Sequence, residues 1–146
     1  MASLSEFSKR MVLRGRQVAD NTDKLVRKVA LAADQAIVMR TPVDTGRARA
    51  NWIVNIGSAA PDVIEAYAPG KDGNTAAANT QAALDQAEAT IKNYVGGNEI
   101  HITNNLPYIQ RLNDGYSAQA PRGFVQETIQ AAAQAVSESR LVAEEV

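Results

Sequence analysis

Thr41-Pro42-Val43-Asp44-Thr45-Gly46-Arg47-Ala48-Arg49-Ala50-Asn51-Trp52 is the stretch where a long helical pattern stops and a strand pattern begins. Pro42 disfavours helical backbone at Thr41 and closes the preceding helix, while Asp44-Thr45-Gly46 supplies a side-chain acceptor and a residue free to take positive φ. The combination predicts a tight corner. Beyond it, Ala48, Ala50, Trp52, Val54 and Ile56 alternate with Arg47, Arg49, Asn51 and Asn55, the period-2 pattern of a strand over 47–57 with one buried face. Trp52, the single tryptophan, is the expected anchor of that face. Pro42, Asp44, Gly46 and Trp52 are thus read first as structural junction residues, and no nucleophile–base pair sits among them.

Upstream, apolar or small residues recur from Leu4 through Phe7, Met11, Gly15, Val18, Thr22, Leu25, Val29, Ala32 and Ala36 in steps of three and four, which is one face of a helix over 4–40. Ser3 or Ser5 is placed to cap its start, and Gly15 and Asp20-Asn21-Thr22 are its weak points, where a kink or break is expected. A domain of this length is about 30 Å across and cannot cover so long a stripe. The first turns are therefore expected to project.

Downstream, 63–67 reads as a short strand or extended arm, and Ala68–Asn74 as an exposed polar loop over 68–78 with little to bury. Thr75 or Asn79 opens a second helix running through Tyr94, stopped by Gly96-Gly97. A strand follows at Glu99–Thr103 with Ile100 and Ile102 inward. Leu106, Ile109 and Leu112 have helical spacing, and a last helix over 122–143 carries Phe124 or Val125, Ile129, Ala132, Ala133 and Val136 inward, fraying from Ser137 onwards. The expected fold class is α+β: one domain over 1–146, with a long, partly projecting helix at 1–40 and a sheet-and-helix body at 41–146. The sheet is small and mainly antiparallel, and Trp52, Val54, Ile56, Ile100, Ile102, Leu25, Val29, Phe124 and Ile129 share its core.

The chain has 146 residues and no cysteine, which excludes a thiolate nucleophile and thiolate-ligated metal and suits a reducing compartment. No stretch reaches the roughly 20 apolar residues of a membrane span, and the N-terminus has no apolar core of signal-peptide length. A net charge of −1 argues against a protein devoted to gripping phosphate backbone. The charge is uneven, since residues 1–40 hold eight Lys/Arg against four Asp/Glu. Candidate chemistry is thin. His101 is the lone histidine and has no serine or cysteine at motif spacing, and Asp44, Glu99 and Asp114 are scattered carboxylates without a metal-ligand pattern. Gly70-Lys71-Asp72-Gly73 lacks the residue order of a phosphate-binding loop.

The 41–52 block also resembles a segment of the tail-completion or neck proteins of long-tailed bacteriophages, which carry a TPVDTGxLRxSW-like run after a long first helix. Here Ala48 stands in place of leucine and Ala50 in place of a small polar residue. A second block, Ile100-His101-Ile102-Thr103-Asn104-Asn105-Leu106-Pro107-Tyr108-Ile109 followed by Leu112–Gly115 and Ala120–Phe124, is similar to that family's strand, NNxPYA, xLExG, APxxF, helix run. It departs from the pattern at Asn113-Asp114, where the family has tyrosine or glutamate before the glycine.

The resemblance implies a non-enzymatic structural virion protein of the head–tail junction, made in the host cytoplasm and needing no cofactor or metal. It implies a ring of identical subunits, six-fold first and twelve-fold second, that joins the end of the tail tube to the head connector. Its partners would be the neighbouring neck or connector protein and the tail terminator or tail tube, with DNA only passing through the channel and no membrane. In such a ring the contact residues would be Leu4, Phe7, Met11, Arg10 and Arg14 of the projecting helix, and Tyr108, Asp114 and Tyr116 of the turn-rich 104–121 segment. The runner-up is a tail-terminator or head-closure protein of the same neck. A cytoplasmic regulatory or DNA-binding adaptor is the reading of a different class, and it lacks a helix-turn-helix pair or basic-aromatic stripe.

Overall fold

Ser3 accepts a hydrogen bond from the Glu6 backbone N–H, and the Glu6 carboxylate accepts one from the Ser3 N–H, a reciprocal cap that starts the first helix, α1 (Leu4–Arg40). The computed structural model, which describes residues 3–138, keeps α1 helical through Gly15 and Asp20-Asn21-Thr22. The expected break is absent: Gly15 stands alone among good helix formers, and within Asp20-Asn21-Thr22 the Thr22 hydroxyl folds back onto the Val18 carbonyl at 2.7 Å. Thr41 then leaves the helix in extended conformation, ahead of Pro42.

The elements that follow are α2 (Arg47–Ala50), β1 (Ile53–Ile56), α3 (Ala76–Ile91), β2 (Ile100–Thr103), α4 (Ile109–Asn113) and α5 (Phe124–Ser137). β1 and β2 pair antiparallel, with Val54 opposite Ile102 and Ile56 opposite Ile100. α1 packs against α5 and α3, while α3 also packs against β1 and α2. The α+β class with a long first helix and a small antiparallel sheet therefore holds, although the sheet is two-stranded and most of the layer is helix.

Residues 47–50 depart from the expected strand. They form one helical turn, and the strand begins only at Ile53. Of the expected inner face Ala48, Ala50, Trp52 and Val54 are buried, but Ile56 is only half-buried and Asn51, expected on the outer face, is fully buried, so the alternation holds only in part. Alanine, however, favours helix, and side-chain anchors hold the turn: the Asn51 carboxamide donates to the Arg47 carbonyl, and Arg49 reaches back to the Met39 carbonyl in α1 and the Thr41 carbonyl just beyond it. Segment 63–67 is not a strand in this structure.

The core has two clusters. Ile37, Val38, Trp52, Ala83, Ala120 and Phe124 form one, and Val54, Ala87 and Ile91 form the other, with Ala30, Leu31, Ile100 and Ile102 packed on it. Leu25, Val29 and Ile56 are only half-buried, the first two lining a groove between α1 and α5. Ile129 is 61% exposed, and Ala133 and Val136 are exposed as well, which corrects the expectation that these three face inward. α5 meets α1 through Thr128, Ala131, Ala132 and Ala135, a face that turns Ile129 outward. Residues 139–143 of the expected last helix, and the fraying expected from Ser139 on, lie outside the described residues.

One buried group opposes this packing. Asp34 is fully buried, and neither carboxylate oxygen has a hydrogen-bond partner among the described residues. Helical spacing places it between Ala30 and Leu31, which touch one cluster, and Ile37 and Val38, which belong to the other. Burial pushes its carboxyl up to about 7.

Where strands are few, carboxamides take over part of their role. Asn51, Asn79, Gln86 and Gln119 each bond both the N–H and the C=O of a single backbone residue: Ile64, Ala68, Val54 and Val43 respectively. Each amide copies one rung of a strand ladder, so long irregular segments keep their polar backbone satisfied.

Candidate functional site

The corner Pro42–Ala48 forms one wall of a cleft of about 780 Å³. Gly46 makes the corner possible. Its φ is +90°, and a Cβ there would collide with the Asn79 carboxamide. Gln119 clamps Val43 from across the cleft, at 2.9 Å to its N–H and 3.1 Å to its C=O. Asp44 turns its carboxylate to the Asp72 N–H at 2.7 Å, and its own carbonyl accepts from the Gly73 N–H. The Thr45 carbonyl accepts from the Gly70 N–H.

Those bonds correct the expectation of a 68–78 loop with few partners. The segment is stitched to the corner, and Asn74 and Asn79 stitch it to itself. The Asp44 carboxylate and the corner's carbonyls complement the N–H groups of the loop, which a count of glycines and polar residues does not reveal.

Tyr108, Leu112, Tyr116 and Gln119 form the facing wall. Tyr108 precedes α4, and the Asn104 side chain sets the approach to it, bonding the Ala48 carbonyl at 2.9 Å and the Leu106 N–H at 3.1 Å. The two sequence blocks that carry the family resemblance therefore meet here, one on each side of the cleft. Burial pushes the Tyr108 phenol above its ordinary range; Arg47 acts against that rise, and Glu65 and Asp44 add to it. Arg47 and Glu65 pair at 3.3 Å on the rim, and the Arg47 guanidinium also donates to the Ile64 carbonyl.

The remaining expected contact residues are spread out. Tyr116 lines the cleft and is exposed, whereas Asp114 ends α4 on the surface and does not line it. Leu4, Phe7, Met11, Arg10 and Arg14 stand on the first half of α1, at the opposite end of that helix. Every residue from Ser3 to Gln17 is exposed. Leu4 is 86%, Phe7 55% and Met11 56% exposed, and no ion pair joins Arg10 or Arg14 to another described residue.

His101 lies on β2 and contacts Glu99 at 3.1 Å, away from the cleft. Among the described residues no group of three or more His, Cys, Asp or Glu could hold a metal ion, and no helix is long and apolar enough to cross a membrane. The cleft presents apolar walls from Pro42, Val43, Ala48 and Leu112 under a rim of opposite charges and phenols. Sequence reading named Tyr108 and Tyr116 as ring contacts rather than as neighbours of the corner, and gave no such role to Glu65, Leu112 or Gln119, because all five meet it only in the folded chain. No family model, curated protein or solved structure matches this chain.

Proposed function

We propose that this chain is a structural subunit of the bacteriophage head–tail junction, building a ring that joins the end of the tail tube to the head connector. It acts by binding, with six-fold symmetry favoured over twelve-fold, and its neighbours are further copies of itself, the connector side of the neck, and the tail terminator or tube. The observation that carries this reading is the free arm of α1, on which Leu4, Phe7 and Met11 continue the helix's apolar stripe into solvent. Exposed apolar surface of that kind marks a partner site. Identical subunits with complementary, non-identical surfaces close into rings. The meeting of the two family-like blocks across one cleft adds support, since it gives those residues a shared surface rather than two separate structural duties.

The test is made on particles. Phe7→Ser with Met11→Ser leaves the body of the subunit untouched, so the variant is expected to fold and to yield separate heads and tails. Normally joined, infectious particles would overturn the proposal.

A further inference from the structure

The arm and the cleft lie at opposite ends of one rigid element. α1 runs from Leu4 to Arg40, about 55 Å at 1.5 Å per residue, and the cleft wall starts two residues beyond its last turn. An arm fixed at the far end of that helix cannot enter the cleft of its own subunit.

Their chemistries match. On the arm, Leu4, Phe7, Met11 and Gly15 fall on one stripe, with Arg14 on one flank and Lys9 and Arg16 on the other. Gly15 has nothing within 4 Å of where its Cβ would be, and a glycine in an exposed helix costs about 1 kcal/mol relative to alanine, so nothing inside the subunit accounts for it. A gap there lets a second surface approach the backbone. The cleft offers apolar walls under Asp44 and Glu65, with Arg47 as the single lining cation among the described residues, and its 780 Å³ is a volume that accepts large side chains. Charge favours the same pairing over the whole molecule. Residues 1–19 carry four Lys/Arg against one Asp/Glu, and the rest of the chain eleven against fifteen.

We propose that the arm of one subunit seats Phe7 and Met11 in the cleft between the Pro42–Ala48 corner and Tyr108–Gln119 of a second copy, head to tail. The contact is heterologous, so repetition gives a closed ring or an open array, and the basic flanks of the arm set register against Asp44 and Glu65. The inference rests on the reading of the chain as an assembly subunit; it does not depend on the ring's place in a virion.

The absence of cysteine makes the test direct, because introduced thiols have no competitors. A Phe7→Cys chain is mixed at high concentration with a Tyr116→Cys chain of different tag length and oxidised. A Phe7→Cys mixture with Glu88→Cys, on the exposed face of α3, is the control. All three sites are exposed, and melting curves verify the folds. The Phe7–Tyr116 disulfide is expected to form at least about tenfold faster than the control, because docking raises the local concentration of the paired thiols. Arg14→Glu with Arg16→Glu in the arm should remove most of that advantage. Equal rates, no cross-link, or a faster Phe7–Phe7 disulfide from arm-to-arm pairing would each overturn the proposal. Efficient cross-linking alongside normal particles from the Phe7→Ser, Met11→Ser variant would refute the virion role and leave the docking standing; defective particles without cross-linking would do the reverse.

Discussion

The indole N–H of Trp52 donates to the hydroxyl of Thr41 at 2.8 Å, and that hydroxyl donates in turn to the Ile37 carbonyl at 2.6 Å. The end of α1 is thus tied to the residue just before β1 through one buried relay. Trp52→Ala removes both the relay and the ring and should cost about 3–5 kcal/mol. Thr41→Val keeps the shape, orphans the indole donor and should cost about 1–3 kcal/mol. Urea unfolding of the two single variants and the double variant measures the coupling. Strict additivity would show that the bond carries nothing.

Arg49 holds the same helix end from outside. Its guanidinium donates to the carbonyls of Thr41 and Met39, each at 2.9 Å, and to the Thr80 hydroxyl on α3 at 2.8 Å. A planar fork reaches three acceptors that an ammonium cannot reach together. Arg49→Lys is therefore expected to lose nearly as much stability as Arg49→Met, about 1–3 kcal/mol by denaturant titration. Full retention by lysine would show that charge at the helix end suffices.

Asp34 makes stability depend on pH. Its carboxyl sits at about 7 in the folded chain against 3.8 for the free group, so the folded state holds its proton more tightly than the unfolded state does. Stability from this group is complete below about pH 4 and is lost as pH rises through about 7, a swing of about 4 kcal/mol. Asp34→Asn should flatten that slope in melts taken between pH 5 and 8. Asp34→Leu should melt higher than the native chain at pH 8, since it buries no charge. An unchanged slope in the asparagine variant would refute the assignment.

Asn79 is the hinge-pin of the 68–75 loop, bonding both polar groups of Ala68 and the Thr75 carbonyl. Asn79→Ala should leave the helices intact by circular dichroism and speed tryptic cleavage after Lys71. Gly46→Ala attacks the same contact from the other side, through its positive φ and its collision with Asn79, and should cost about 1–3 kcal/mol. Cleavage rates unchanged in both variants would show that the loop is held by other bonds.

Residues whose role is set by their neighbours in sequence were legible without a structure. A cap at Ser3 or Ser5, the apolar period of α1, the stop at Thr41-Pro42, the burial of Trp52 and Val54 and the exposure of Leu4, Phe7 and Met11 all follow from local periodicity, capping chemistry and the length of a helix against the width of a domain, although the continuity of α1 through Gly15 and Thr22 did not. What the tertiary structure decided is where side chains meet after the chain turns back. Alternating small residues at 47–50 fit a helical turn as well as a strand, and only the reach of Arg49 to Thr41 and of Asn51 to Ile64 selects the turn. The outward face of Ile129, the unpaired burial of Asp34, the four carboxamides that stand in for strands, and the cleft joining residues 42–48 to 108–119 rest on contacts between residues far apart in the chain. Local pattern fixes which faces are apolar; it does not fix which apolar face finds which partner, because that depends on packing the whole chain at once.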